Sequence, residues 1–173
     1  LGEGVVYGNV ALTYVISGAP VDQLYFDVPA ELQNLEFVGM DVSRWSLEDG
    51  VWVVKLRRKV LGDYNLGITF SQRYEDGQAI LAGGISCSKV ETQTGFITIS
   101  SHRSLRLSKE SADTALIAIG HEETPAHYRL LVSAPILRSF KYVSVPHALS
   151  LRVDSYERGA TPAVIVEFIN AQT

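Results

Sequence analysis

Apolar and polar residues alternate with a period of two along most of this chain, in short runs rich in β-branched and aromatic residues. A period of two places successive side chains on opposite faces of a β-strand, and helical spacing is hard to find. Gly, Pro, Asp and Asn separate the runs. The pattern predicts strands near residues 5–17, 23–28, 35–40, 44–47, 51–57, 63–74, 79–81, 86–91, 95–100, 105–107, 115–120, 127–132, 139–143, 150–156 and 163–169.

The residues between these runs agree with an all-β fold. Each connection holds a residue that tolerates positive φ, so we expect hairpins at residues 17–20, 48–50, 61–63, 75–77 and 157–159. Single helical turns are predicted only at residues 29–32 and 109–113. Short strands at regular spacing are typical of an antiparallel β-sandwich, and this is the fold class that the sequence predicts.

The chain length favours a single module. With 173 residues, the chain can bury one good core, and residues 1–173 are predicted to form one β-sandwich. Prolines interrupt the pattern at residues 121–140, so a second module or sub-domain starting near residues 134–147 is the alternative. The sequence begins at Leu1 rather than Met, and we expect it to be part of a longer protein. No apolar run approaches the ~18 residues of a membrane span.

Charge and cysteine content exclude several classes of partner. A formal net charge of -4 argues against a nucleic-acid-binding protein, which usually carries a basic face. The single cysteine, Cys87, excludes an internal disulfide and a cysteine-based zinc site. No cofactor motif is found, and none is expected.

The segment SRWSLEDGVWVVKL, residues 43–56, places two tryptophans beside an Asp-Gly turn. A two-residue type I′ loop would put Trp45 and Trp52 on the same apolar face, where they would fill a core. A three-residue loop with a bulge would move Trp52 to the more polar face, where its ring could bind a sugar. The first register is favoured because it gathers the large apolar residues on one face.

No arrangement of residues predicts catalysis or metal binding. His121, Glu122, Glu123 and His127 lie close in sequence, but their spacing matches no known set of metal ligands. No serine lies in a nucleophile motif, and Cys87 has no neighbouring base. The sequence therefore predicts a protein that is not an enzyme and holds no metal.

Residues 26–70 hold a series of strand and turn positions, which are Val28-Pro29, Val38-Gly39, Trp45, Asp49-Gly50, Val54-Lys55-Leu56, Gly62, Tyr64, Leu66 and Ile68. In these positions the segment resembles β-sandwich modules of large, uncharacterised, membrane-anchored bacterial envelope proteins. Residues 85–100 are similar to the strand pair that follows in such proteins. The resemblance implies a non-catalytic extracytoplasmic module, in the periplasm or at the cell surface, and it transfers no catalytic residue.

Two functions follow as hypotheses. The first is a structural or protein-interaction module that contacts a protein partner or a neighbouring domain through its sheet edges. The most exposed candidate edge is the C-terminal strand, residues 163–169, which is apolar apart from Glu167. We expect it either to lie between two strands of the sandwich or to pair with another copy. The alternative is a carbohydrate-binding module that holds a glycan on the exposed aromatic residues Trp45, Trp52 and Tyr64.

Overall fold

The computed structural model describes residues 3–75, 77–102, 105–155 and 163–173, and β-strands dominate this part of the chain. A 3-10 helix (His121–Glu123) and one short helix, α1 (Ala126–Arg129), accompany them. The strands are β1 (Glu3–Asp27), β2 (Gln33–Gly39), β3 (Val42–Glu48), β4 (Val51–Glu75), β5 (Ala79–Ala82), β6 (Ser86–Cys87), β7 (Thr92–Ser100), β8 (Leu105–Ala112), β9 (Leu116–Ile119), β10 (Ile136–Tyr142), β11 (Leu149–Ser155) and β12 (Val164–Gln172).

These strands form two sheets, which confirms the predicted all-β fold with sandwich-like packing. The main sheet has the order β2-β4-β1-β12-β7-β10-β9, with β3 also paired to β4 and β6 to β1, and the smaller sheet has the order β5-β11-β8. Neighbours are antiparallel except β1 and β12, which run parallel. The C-terminal strands β11 and β12 are thus built into the same two sheets as the N-terminal strands.

The long strands β1 and β4 bend together and determine the shape of the main sheet. Each is 25 residues long, and they pair antiparallel from Glu3↔Glu75 to Phe26↔Trp52. The register shifts near Gly18 and Gly62, whose φ angles are +79° and +81°. The predicted turn residues at 17–20 and 61–63 therefore bend two continuous strands, and the prediction of hairpins there is wrong.

Two apolar cores lie on the inner face of the main sheet. The first joins the two halves of the bent β1–β4 ladder, with Leu12 and Ile68 from one half and Phe26 and Val54 from the other. Because residues from both halves share this core, the bend folds the sheet back over itself. The second core packs the main sheet against the smaller sheet, and it includes Ile97, Ile99, Phe140, Leu151, Val153 and Ile165.

Three further sequence-based predictions need correction. Residues 127–132 were predicted as a strand, but they begin in α1, whose Tyr128 stacks on Phe168 at 4.2 Å between ring centroids. Residues 109–113 were predicted as a helical turn, but most of them belong to β8, which pairs with β11. The segment 163–169 is not an exposed edge, because β12 lies between β1 and β7 in the centre of the main sheet, which is the first of the two arrangements expected for it. Both edges of β12 are paired and both of its faces are buried, which explains why this strand is so apolar.

The remaining turn predictions have mixed outcomes. Residues 29–32 form a single turn closed by a hydrogen bond from Leu32 N to Pro29 O. The predicted turn at residues 157–159, the middle residue of the turn at 75–77 and the last residue of the strand predicted at 150–156 lie outside the described residues.

Candidate interaction site

The hairpin between β3 and β4 adopts the favoured register. Glu48 pairs with Val51, Leu47 with Trp52, and Trp45 with Val54. Asp49 and Gly50 have φ angles of +49° and +81°, as a two-residue type I′ loop requires. The structure therefore confirms the two-residue loop, and both tryptophans lie on the same face as the neighbouring core.

The tryptophans surround Phe37, which belongs to β2. The ring centroid of Phe37 lies 5.9 Å from Trp45, 6.0 Å from Trp52 and 5.6 Å from Phe26. Phe37 is completely buried, whereas Trp45 is 37% exposed and Leu47 is 58% exposed. The tryptophan face is therefore continuous with the core but ends at the border of the sandwich. We call Trp45, Leu47 and Trp52 the aromatic rim.

Tyr64, the third residue of the carbohydrate-binding hypothesis, lies inside the protein. Its side chain is 6% exposed, and its hydroxyl donates a hydrogen bond to the carbonyl oxygen of Met40 at 2.6 Å. Burial, followed by the nearby charge of Asp41, raises the pKa of Tyr64. In this structure the ring presents no exposed face to a ligand.

Strand β3 has one paired edge and one open edge. It pairs with β4, and no other described strand pairs with its outer side. In a two-residue hairpin the residues that flank the loop, here Glu48 and Val51, exchange both of their hydrogen bonds, and the next pair exchanges none. By this alternation, the backbone N–H and C=O groups of Leu47 and Trp45 point to the open edge. The same two residues carry the exposed apolar side chains.

Charged side chains lie on the other face of β3. Glu48 accepts a hydrogen bond from the Ser46 hydroxyl at 2.8 Å, and its Oε1 lies 3.4 Å from Lys55 Nζ. The Ser46 hydroxyl and then Lys55 lower the pKa of Glu48. Arg44 makes no ion pair at contact distance among the described residues, although its charge also contributes to the lowered pKa of Glu48, so its guanidinium can still bind an acidic group.

A buried polar cluster separates the two cores. Glu167 points inward from β12, and its Oε1 accepts a hydrogen bond from the Tyr142 hydroxyl at 2.8 Å. His147 Nε2 lies 2.7 Å from the same oxygen, and the His147 ring stacks on Tyr142 at 4.0 Å. Gln93 bridges Tyr142 to the backbone of Ile85 and Cys87. This cluster has no opening to solvent at its side chains, so we assign it to folding rather than to ligand binding.

The residues weighed for chemistry are not brought together. His121 contacts Glu122 on the surface, whereas the ring of His127 lies beside Tyr128. Within the described ranges, no group of three or more His, Cys, Asp and Glu side chains could hold a metal ion. Burial raises the pKa of the Cys87 thiol far above its usual range, and the nearby charge of Glu167 adds to the shift. The thiolate needed for nucleophilic attack is therefore strongly disfavoured.

Comparisons with known proteins identify no family for this chain. No protein-family model matches the chain, and no curated protein matches it. In the described part of the chain, no helix has the length and apolar character needed to cross a membrane.

Solved structures similar to this chain include two of the yeast delta-COP-I mu-homology domain. One contains a bound Dsl1 WxWxV peptide and aligns at 8% sequence identity, covering 99% of this chain and 98% of that chain, with a TM-score of 0.26. The other aligns at 10% identity with the same coverage and a TM-score of 0.25. At these TM-scores the alignments support no inference about the fold or the function of this chain.

Proposed function

We propose that this chain is a non-catalytic protein-interaction module that binds an extended segment of a partner along the open edge of β3. The observation that carries this proposal is the coincidence of the open edge with the exposed side chains of Trp45 and Leu47. An added strand would gain main-chain hydrogen bonds from the edge and apolar contacts from the aromatic rim. The resemblance of residues 26–70 supports an extracytoplasmic location in a larger bacterial envelope protein.

Three of the other outer strands, β5, β8 and β9, are less suited to strand addition. β9 and β5 are only four residues long, which limits the number of hydrogen bonds they can offer. β8 is longer, but its exposed residues include Lys109 and Glu110, and such charges protect an edge from pairing. β3 is seven residues long and contains no proline. Its exposed apolar residues are the kind of feature that marks an interaction surface.

The chemistry of β3 indicates the partner sequence. Side chains of an added strand alternate between the two faces of the sheet. Those on the inner face would contact Trp45 and Leu47, and apolar residues suit these positions. Those on the outer face would lie near Arg44, which makes no ion pair at contact distance with the residues that the structure describes, and its positive charge favours Asp or Glu. The proposed partner is therefore an extended segment in which apolar and acidic residues alternate.

A peptide selection tests this function. Peptides selected from a random phage-displayed library on the wild-type protein should show the alternating pattern. Leu47→Pro should weaken their binding by at least about tenfold in a fluorescence-polarisation assay, because proline removes an N–H from the open edge. Leu47→Thr, which keeps that N–H, is the matched control for the backbone contribution. Selected peptides that bind Leu47→Pro and Trp45→Ala as tightly as wild type would overturn the proposal.

The alternative function, carbohydrate binding by the aromatic residues of the hairpin, stays a prediction. The partly exposed ring of Trp45 favours it, whereas the burial of Tyr64 leaves only the tryptophans to stack on a sugar. Tryptophan fluorescence separates the two functions. A shift of the emission maximum on adding an oligosaccharide, with no shift on adding a selected peptide, would favour the carbohydrate.

A further inference from the structure

A groove of about 420 Å³ follows the corner of β1 near Thr173, and a second groove of about 380 Å³ crosses the outer face of the main sheet, away from β3. The second groove is lined by polar, charged and aromatic side chains of β1, β2 and β4. Its floor is β4, with Thr69 and Ser71, and its wall on the β1 side is Tyr7 and Asn9. Asn34 and Glu36 of β2 form the opposite wall. This volume falls in the range of about 300–1,000 Å³ that is common for small-molecule sites.

Tyr7 provides an aromatic surface in this groove. It is 53% exposed although it lies in a strand with ladder partners on both sides, Ser71 and Val164. One side of the Tyr7 ring therefore lies against the sheet, and its other side is exposed to solvent. A sugar ring has an apolar face of C–H groups, and these pack favourably on the electron-rich face of an aromatic ring.

A β-bulge in β2 positions the opposite wall. Gln33 pairs with Ser71 and Glu36 with Thr69, so β2 has one more residue than β4 between these pairs. Asn34 adopts a left-handed conformation with φ of +54°, and its Nδ2 donates a hydrogen bond to Ser71 Oγ at 2.8 Å. Bulges of this kind redirect side chains, and they are common beside functional sites. Here the bulge holds Asn34 against the groove floor while its side-chain oxygen has no described partner.

Two charged residues line the groove. Glu36 and Arg73 line it, are exposed, and make no ion pair with any residue in the described ranges. A carboxylate accepts hydrogen bonds and a guanidinium donates them. Sugar hydroxyls do both, so one ligand can satisfy both side chains. The two charges cancel, and a neutral ligand therefore suits the groove better than an ionic one.

The sheet also excludes a peptide strand at this place. β1 and β4 pair with each other under the groove, and their other sides pair with β12 and β2, so the backbone groups of the groove floor are already used in the ladder. A ligand must then be recognised by side chains alone. We propose that this groove binds a neutral saccharide, whose ring stacks on Tyr7 and whose hydroxyls contact Asn9, Asn34, Glu36 and Arg73. The site is separate from β3 and does not depend on the function proposed for that strand.

NMR titration of the ¹⁵N-labelled protein tests the site. The probes are cellohexaose, maltohexaose and chitohexaose, each added to millimolar concentration. At least one should give saturable shifts at residues 7–9, 34–36 and 69–73. Tyr7→Ala should weaken this binding by about tenfold or more, whereas Tyr7→Phe, which keeps the ring, should retain it. Arg73→Gln should weaken it by loss of a charged donor.

The folding of each variant is checked by its thermal transition, and the exposure of Tyr7 predicts that Tyr7→Ala folds. Trp45→Ala is the control for the hairpin, and it should leave the titration unchanged. No saturable shift with any of the three oligosaccharides would overturn the proposal. Shifts that survive Tyr7→Ala, or that map to residues 43–54, would overturn it as well.

Discussion

His147 and Glu167 are twenty residues apart in the sequence, and they share a 2.7 Å hydrogen bond in the interior of the protein. Both side chains are almost completely buried, with exposures of 0% and 3%. Nδ1 of His147 is also buried, and it has no partner among the described residues. A buried polar group without its partner is costly, so the two residues depend on each other more than an exposed pair does.

This dependence predicts strong coupling between the two residues. Glu167→Leu alone should lower the free energy of unfolding by about 3 kcal/mol or more, because it removes the carboxylate that accepts from the Tyr142 hydroxyl and is hydrogen-bonded to His147 Nε2. The double variant His147→Phe/Glu167→Leu should cost clearly less than the sum of the single variants. Urea unfolding measures all three values.

The exposed pair of Arg152 and Glu110 serves as the control for this coupling. Glu110→Ala should change the free energy of unfolding by at most about 1 kcal/mol, because water screens an ion pair at the surface. If the losses at His147 and Glu167 were simply additive, the two residues would not form the interdependent pair that the structure shows.

Tyr142 reaches this cluster because its ring lies over Gly95 of β7. A Cβ atom at Gly95 would lie 2.2 Å from the carbonyl oxygen of Phe168 and 2.7 Å from the Tyr142 hydroxyl oxygen. Backbone on one side and a buried ring on the other cannot both move away, so Gly95→Ala should lower the free energy of unfolding by about 2 kcal/mol or more. Thermal or urea denaturation measures this loss.

Gly67 provides the matched control in another strand of the same sheet. Its Cβ would have its nearest contact at 3.6 Å, an ordinary van der Waals distance. Gly67→Ala should therefore be neutral or stabilise the protein by up to about 1 kcal/mol, because alanine has less backbone freedom to lose on folding. Equal effects of the two substitutions would show that the close approach at Gly95 does not limit packing.

The sequence predicted the fold class and the hairpin register because both depend on local patterns. The Asp49-Gly50 loop and the alternation around Trp45 and Trp52 allow one arrangement that gathers the apolar residues. The pairing of β12 with β1 could not be read in the same way. A buried central strand and a sticky edge strand are both apolar, and only the tertiary arrangement distinguishes them.

The candidate sites were less predictable than the fold. Tyr7, Asn34 and Glu36 meet only because a bulge in β2 and the β1–β4 register bring them together. Their sequence separation gives no motif. The exposure of Trp45 could not be predicted from the sequence either, because Trp45 shares its apolar face with core residues and is exposed only because it lies at the border of the sandwich. The bends at Gly18 and Gly62 resembled hairpin turns because both features need positive φ.

Buried acidic groups predict a loss of stability at high pH. Burial raises the pKa of Cys87, Tyr14 and Tyr142 far above their usual ranges in the folded protein. For groups with raised folded pKa values, the unfolded chain loses protons first as the pH rises, so stability is complete below the unfolded pKa and falls above it. The loss of stability therefore begins at about pH 8.5 for the thiol and at about pH 10 for the phenols.

Urea unfolding at a series of pH values tests this effect. The free energy of unfolding should fall from about pH 8.5 upward, and Cys87→Ala should flatten the curve below about pH 10, where the thiol dominates. The absorbance of phenolate should show that Tyr14 and Tyr142 titrate only with unfolding. Reaction of Cys87 with a thiol reagent at the rate of an unfolded cysteine, in the native protein at neutral pH, would contradict its burial.

The position of the aromatic rim predicts a graded series of stability losses. Leu56 is 7% exposed and lies in the first core, so Leu56→Ala should cost about 3 kcal/mol through a cavity. Trp45→Ala should cost less, about 1–2 kcal/mol, since part of its ring already contacts water while its packing on Phe37 is lost. Leu47→Ala should cost about 0.5 kcal/mol or less. Equal losses for Leu56 and Trp45 would place Trp45 inside the core and remove the surface proposed for partner binding. If the losses are graded as expected, Trp45 stabilises the fold less than a fully buried tryptophan would. This is expected of a residue whose apolar surface is covered by a partner.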